Sequence, residues 1–177
     1  MMKKYLVIGN PIEHSLSPKL HNFWLKKYNV NAIYEKKKLN ESELPHIILE
    51  IKKRKIDGIN ITVPFKKIII PLLEKLSPEA EKTQSVNTIF LKNDNVVGHN
   101  TDINGFEYAI KESNIDIKNK KIFILGAGGV VSSLIFALNK MMASEIIISN
   151  RTKQKAEDLK KIFNDIKIVN WGELPES

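Results

Sequence analysis

The sequence predicts an α/β protein in two parts, an N-terminal α/β domain over residues 1–102 followed by an incomplete Rossmann-type dinucleotide-binding domain over residues 103–177. Three observations carry this. The N-terminal portion alternates short β-branched runs with helix-forming stretches. Gly126-Ala127-Gly128-Gly129 follows directly on the apolar run Ile122-Phe123-Ile124-Leu125. Clusters of hydroxyl, amide and charged residues recur just after apolar runs, at the end of an open α/β sheet where ligands bind.

Taken in order, Tyr5 to Ile8 reads as a strand, Pro18 to Tyr28 as a helix, Ala32 to Lys36 as a strand and Glu41 to Arg54 as a helix. Gly58 to Ile61 is the next strand, with a helix near Phe65 to Leu73 that Pro64 can open. Ser77-Pro78 reads as a turn, and Thr88 to Leu91 and Val96 to His99 as a hairpin around Asn93-Asp94-Asn95. Thr101 or Asp102 can cap a helix from Gly105 to Ser113. Asn114 to Asn119 is a polar joint, after which strand, glycine turn, helix, the strand Glu145 to Ile148 and the strand Ile166 to Val169 follow.

In the second part, glycines let backbone N–H groups approach a pyrophosphate at a helix N-terminus. The expected cofactor-binding positions are Gly126, Ala127, Gly128, Gly129 and Val130, then Asn150, Arg151, Thr152 and Lys155 after the second strand. An NAD site carries Asp or Glu at the end of that strand. This chain has Asn150 and Arg151 there, and a guanidinium pairs with a 2′-phosphate, so the expected cofactor is NADP. The third fingerprint position is Val131 in place of Gly or Ala, a departure that loosens the expected fit of helix to strand.

Composition narrows the function classes. The 177 residues hold no cysteine, which excludes disulfides, thiolate metal sites and cysteine nucleophiles and fits a reducing, cytoplasmic setting. There is no apolar run long enough to span a membrane and no signal-peptide pattern. The net charge of +8 comes from dispersed lysines, with Arg54 and Arg151 the only arginines, which reads as a solvated surface and not as a nucleic-acid patch. His14, His21, His46 and His99 make no ligand pattern, so no metal is expected. Phe23 and Trp24, on a helix with Leu20, read as core or interdomain packing.

The polar clusters of the first part are Ser15 and Ser17, then Asn60, Thr62 and Lys66, then Ser85-Val86-Asn87-Thr88, then Asn100-Thr101-Asp102. Hydroxyls, amides, one ammonium and one carboxylate suit a small, polyhydroxylated, anionic ligand. Singly, each residue has an ordinary use: Ser15 or Ser17 as a helix cap before Pro18, Lys66 as a surface lysine, Asp102 as a cap and Asn87 as a turn residue. Their joint occurrence favours a site.

In this order and spacing the motifs resemble the shikimate dehydrogenase family over essentially the whole chain. The resemblance implies an N-terminal substrate-binding domain and an NADP-dependent oxidoreductase that interconverts 3-dehydroshikimate and shikimate in aromatic amino acid and chorismate biosynthesis. It also implies that Ser15 and Ser17 hold the substrate carboxylate, that Asn60, Thr62 and Asn87 hold its hydroxyls, and that Lys66 with Asp102, itself also in contact with substrate, forms the catalytic pair. Ile103-Asn104 and Val130-Val131-Ser132-Ser133 depart from the family pattern. Two other readings remain beside it, a quinate/shikimate dehydrogenase and a non-catalytic ligand-binding module on the same fold. A homodimer is compatible with the sequence, whereas nucleic acid and membrane partners are not expected. The nicotinamide half is expected to be missing, with the last strand left as an open apolar edge. On that reading the chain is the N-terminal portion of a longer protein and is inactive alone.

Overall fold

The computed structural model describes residues 2–175. The chain forms two compact units, Met1–Asn100 and Thr101–Ser177. In the first, a six-stranded mixed sheet has the order β2-β1-β3-β5-β6-β4. Its strands are β1 (Lys3–Gly9), β2 (Ala32–Lys38), β3 (Gly58–Ile61), β4 (Lys75–Leu76), β5 (Thr88–Lys92) and β6 (Asn95–His99). The parallel trio β2-β1-β3 is joined through helices α1 (Ser17–Lys27) and α2 (Leu44–Lys52), as parallel pairing requires. The hairpin β5-β6 closes on Asn93 and Asp94, both in the left-handed region, and pairs antiparallel with β3.

Alternation along the strands sends Leu6, Ile8, Ile59, Ile61 and Ile89 to one face, where Leu44, Ile47 and Ile51 of α2 and Phe65 and Ile69 complete the main core. The opposite face carries a smaller cluster of Val7, Ile12 and Tyr34, with Tyr5 and Leu25 of α1 packed on it. The candidate site lies on that second face.

Several elements differ from the sequence expectation. The helix expected over Phe65 to Leu73 is a short α3 (Phe65–Ile68) and a separate 3-10 turn (Ile70–Leu72), because Pro71 has no N–H to continue the ladder. The helix expected from Glu41 opens as a 3-10 turn and becomes α-helical at Leu44, with Pro45 in its first turn, and it stops at Lys52 before the left-handed Arg54. Ser77-Pro78 starts a helix, α4 (Pro78–Thr83), and is not a bare turn: the Ser77 hydroxyl accepts the Ala80 N–H at 3.2 Å. Phe23 and Trp24 are not core residues, since they are 58% and 41% exposed and pack edge to face on one another.

The second unit is a parallel three-stranded sheet, β7-β8-β9, from β7 (Lys121–Leu125), β8 (Glu145–Ser149) and β9 (Lys167–Val169). Helices α5 (Asp102–Glu112), α6 (Val131–Lys140) and α7 (Lys153–Ile162) belong to it. Helix α5 begins at Asp102, three residues before the expected Gly105, and Thr101 at its N-cap makes no side-chain capping bond. Ile135, Leu138, Ile146, Ile148, Ala156, Leu159 and Ile166 form its core. Val131 is buried at 5% exposure within that core, so the valine at the third fingerprint position is accommodated by packing. Strand β9 is an edge of the sheet, as expected, but β7 is the other edge and the more apolar one, with Leu125 69% exposed.

Candidate functional site

In the first unit the ends of β1 and β3 are brought unusually close. A Cβ on Gly9 would stand 2.5 Å from Thr62 Cγ2 and 3.0 Å from the Val63 carbonyl oxygen, so only glycine fits. The Asn10 N–H donates to the Val63 carbonyl and the Thr62 N–H to the Ile8 carbonyl, both at 3.0 Å. The loop after β1 then folds back on itself, with the Ser15 N–H donating to the Ile12 carbonyl at 3.1 Å. A cavity of about 310 Å³ opens between this loop and β3, lined by Pro11, Ile12, His14, Ser15, Ser17 and Thr62 over Val7. The peptide bonds before Pro11 and Pro64 are cis.

Both sequence-predicted serines therefore line one cavity together with Thr62. Neither is the residue at the N-cap of α1, which is Leu16. The Ser15 hydroxyl accepts the Ser17 N–H at 3.3 Å, a local turn contact that leaves its proton to donate.

The loop is tied to β2 by charge. Lys38 Nζ meets Glu13 Oε1 at 2.8 Å, Lys36 Nζ donates to the Glu13 carbonyl, and the Ile12 N–H donates to Glu13 Oε2 at 3.0 Å. The Lys38 hydrogen bond, helped by backbone N–H groups, holds the Glu13 carboxyl at about 2, against an ordinary 4.5. A depressed carboxyl adds stability that is complete above its unfolded value and is lost as pH falls through the folded one. The expected result is a Glu13 carboxyl ¹³C titration with its midpoint near 2, the loop amides moving with it over the window from 4.5 down to 2. A midpoint at the ordinary value would mean that Lys38 does not hold the loop.

Asn60 and Asn87 meet across the β3–β5 pairing, where Asn60 faces Thr88. The Asn60 amide is engaged at both ends: Oδ1 accepts the Tyr34 hydroxyl at 2.6 Å, and Nδ2 donates to Thr88 Oγ1 at 3.1 Å and to the Asn87 carbonyl at 3.3 Å. Thr88 Oγ1 in turn donates to Asn87 Oδ1 at 3.0 Å. Asn60 therefore keeps acceptor capacity only, on Oδ1. Sequence reasoning missed Tyr34, which reads as an ordinary strand aromatic.

Lys66 lies half-buried in α3, and its carbonyl accepts the Val86 N–H at 2.8 Å, which fixes α3 to the segment leading into Asn87. Asn100 is fully buried, and its Nδ2 donates to the Ser85 carbonyl at 3.0 Å and to Thr83 Oγ1 at 3.1 Å. Asp102, two residues later, is the first residue of α5 and belongs to the second unit, whereas Lys66 belongs to the first.

In the second unit the turn after β7 carries the expected glycines. Gly126 has φ +115°, a conformation that L side chains rarely adopt, and its N–H donates to the Ser149 carbonyl at 2.8 Å. A Cβ on Gly128 would meet nothing within 4 Å, so the turn is open just before the start of α6. That space beside a helix N-terminus fits a pyrophosphate. Asn150, one of the expected cofactor-binding positions, has both ends of its amide engaged within the unit: its Oδ1 accepts the Ala127 N–H at 3.0 Å and its Nδ2 donates to the Thr152 carbonyl at 2.7 Å. It binds the glycine turn to the turn after β8, where Gly129, Val130, Arg151, Thr152 and Lys155 are all exposed.

A sheet unit with a cavity bearing three hydroxyl side chains at its strand ends, followed by a glycine-turn unit of parallel strands and helices, defines the class of two-part dinucleotide-linked α/β proteins. Residues 7–89 match the shikimate dehydrogenase substrate binding domain, and residues 107–177 match the shikimate / quinate 5-dehydrogenase family. The chain belongs to the shikimate dehydrogenase family. It is 58% identical over 173 residues to the shikimate dehydrogenase (NADP(+)) of Pelagibacter ubique, a match over 98% of this chain and 65% of that protein. The crystal structure of shikimate dehydrogenase from Aquifex aeolicus superposes with a TM-score of 0.88 at 40% identity, over 96% of this chain and 63% of that one. The Thermus thermophilus enzyme in complex with NADP(H) and shikimate gives 0.85 at 34% identity, over 95% of this chain and 63% of that one. The chain thus spans just under two thirds of the length of these relatives.

Among the described residues no helix is long and apolar enough to cross a membrane.

Proposed function

We propose that this chain carries the substrate pocket and NADP-binding elements of a dehydrogenase that interconverts 3-dehydroshikimate and shikimate. The observation that carries the reading is the cavity that gathers Ser15, Ser17 and Thr62 at the joined ends of β1 and β3. Two serine hydroxyls suit the substrate carboxylate, and Thr62, Asn60 and Asn87 suit its hydroxyl groups. In the reduction direction the Lys66 ammonium gives its proton to the oxygen that becomes the hydroxyl and stabilises negative charge developing there. The Asp102 carboxylate is the proposed second member of the catalytic pair. NADPH supplies the hydride when bound. On the protein side, the N–H groups from Gly128 to Val130 would hold the pyrophosphate, and Arg151, Thr152 and Lys155 the 2′-phosphate. A small metabolite as substrate and a cysteine-free chain suit the cytoplasm.

The test is calorimetric titration of the 177-residue chain with shikimate, quinate, NADP⁺ and NAD⁺ in turn. Saturable shikimate binding that is lost in Ser15→Ala/Ser17→Ala supports the reading, and its absence in the unaltered chain sinks it. For the cofactor, Arg151→Ala is expected to weaken NADP⁺ binding by about 10- to 100-fold and to leave NAD⁺ nearly unchanged, because only the former carries the phosphate that a guanidinium pairs with. Equal loss for both dinucleotides would remove Arg151 from the phosphate site.

A further inference from the structure

The face of the first sheet beneath the cavity is organised around one side chain that has no part in the reading above. Tyr34 sits on β2 opposite Tyr5 of β1, and its hydroxyl reaches over β1 to Asn60 of β3, whose register partner on β1 is Val7. It packs with Val7 and Ile12, two of the residues that line the cavity. Its backbone is clamped from above: the Tyr34 N–H donates to Asn22 Oδ1 at 3.0 Å and Asn22 Nδ2 donates to the Tyr34 carbonyl at 2.7 Å. Asn22 belongs to α1, the helix that begins at Ser17. The His21 ring, also from α1, stacks on the Tyr34 ring at 4.1 Å between centroids and 10° between planes. One residue therefore holds the serine-bearing helix by its backbone and ring, and the amide-bearing strand by its hydroxyl.

The hydroxyl contact starts a directed chain. Tyr34 donates to Asn60 Oδ1, Asn60 Nδ2 donates to Thr88 Oγ1, and Thr88 donates to Asn87 Oδ1. An asparagine amide has a donor end and an acceptor end, and a rotation of the group exchanges them. Such a flip at Asn60 would put its Oδ1 against the Asn87 carbonyl, acceptor against acceptor, so the two ends of the network agree on one orientation. Burial raises the Tyr34 phenol above its ordinary value, so it keeps the proton it donates throughout neutral pH.

We propose that Tyr34 is a positioning residue of the pocket: it fixes the Asn60 amide and, through Thr88, the Asn87 side chain in one orientation, so that a polyhydroxylated ligand meets preset hydrogen-bonding groups. The ligand part rests on the shikimate reading of the cavity. The orientation part does not, because it concerns the unliganded chain.

The experiment uses Tyr34→Phe in the 177-residue chain, a change that deletes one oxygen and keeps the ring under His21. Without ligand, the side-chain amide ¹⁵N–¹H signals of Asn60 and Asn87 are expected to shift in the variant while those of Asn150, in the other unit, stay in place. In shikimate titrations the variant is expected to bind about 10-fold more weakly, with NADP⁺ affinity unchanged. In an Asn60→Ala background the same substitution is expected to cause no further loss, since Tyr34 acts through Asn60, whereas a general loosening of the fold would add its effect. Unmoved amide signals, or additive losses in the double variant, would overturn the inference. An unaltered chain that fails to bind shikimate overturns the substrate reading and the ligand part with it, and the amide signals still decide whether Tyr34 sets the two asparagines.

Discussion

Replacement of Lys66 by alanine is expected to lower kcat for shikimate oxidation by about 10²–10⁴ while changing KM far less. The reason is that the proposed contact, an ammonium on the reacting oxygen, gains most of its strength as negative charge develops there, so its loss falls on the transition state. The position is suited to this. Lys66 is in the first turn after β3, half-buried, on a backbone that accepts the Val86 N–H at 2.8 Å and so is locked to the segment that leads into the strand beginning at Thr88. The measurement is NADPH absorbance in a chimera in which residues 1–177 replace the matched segment of the Pelagibacter ubique relative, which is 58% identical to this chain. Lys66→Arg sharpens the result. A guanidinium keeps the charge but does not exchange its proton in the working range, so the arginine variant is expected to remain slow. Turnover near that of the unaltered chimera would remove Lys66 from the chemistry and favour a ligand-binding role for the first unit.

Local patterns made much of the fold legible. The segment 58–61 is a strand in both readings, because β-branched residues alternate with a polar one behind a glycine, whereas β7 and β8 are legible as the continuous apolar runs of a parallel sheet. What was harder depended on signals with two meanings. Ser77-Pro78 is a turn signature and equally a helix start, and α4 has too few residues to display a helical period. Pro71 splits the segment after Phe65 inside a run of isoleucines and leucines that carries a helical pattern on both sides of it. Phe23 and Trp24 share a helix with Leu20, a pattern that suggests a packed face, but the side of α1 that meets the sheet is the one with Asn22 and Leu25. For the site, residue types at strand ends were enough to nominate Ser15, Ser17 and Thr62, which line one cavity. The network behind them was not legible. That Tyr34 reaches Asn60, and that Asn150 holds Ala127, are consequences of strand pairing between distant segments, and no spacing in the sequence encodes them.

The second large effect concerns those two serines. Ser15→Ala with Ser17→Ala is expected to weaken shikimate binding by about 10²–10⁴-fold, because each lost hydrogen bond to a carboxylate is charge-assisted and contributes roughly 1.5–3 kcal/mol. The alternative, that the serines serve only the start of α1, makes a different demand. The N-cap position is Leu16, and the local contact present is the Ser17 N–H to Ser15 Oγ at 3.3 Å, at the long end of a hydrogen bond. Loss of that contact alone would cost at most about 1 kcal/mol of stability and leave ligand affinity in place. Thermal melts and shikimate titrations of the same double variant therefore separate the two roles. A substrate role lowers affinity with little change in melting temperature, and a structural role does the reverse. The Thr62 hydroxyl gives an internal control, since it lines the same cavity from the residue after β3 and makes no part of the serine loop. Thr62→Val is expected to weaken binding by about 10-fold, as one neutral hydrogen bond to a hydroxyl should. If Thr62→Val weakened binding as much as the double serine variant, the carboxylate would have to sit at Thr62 instead.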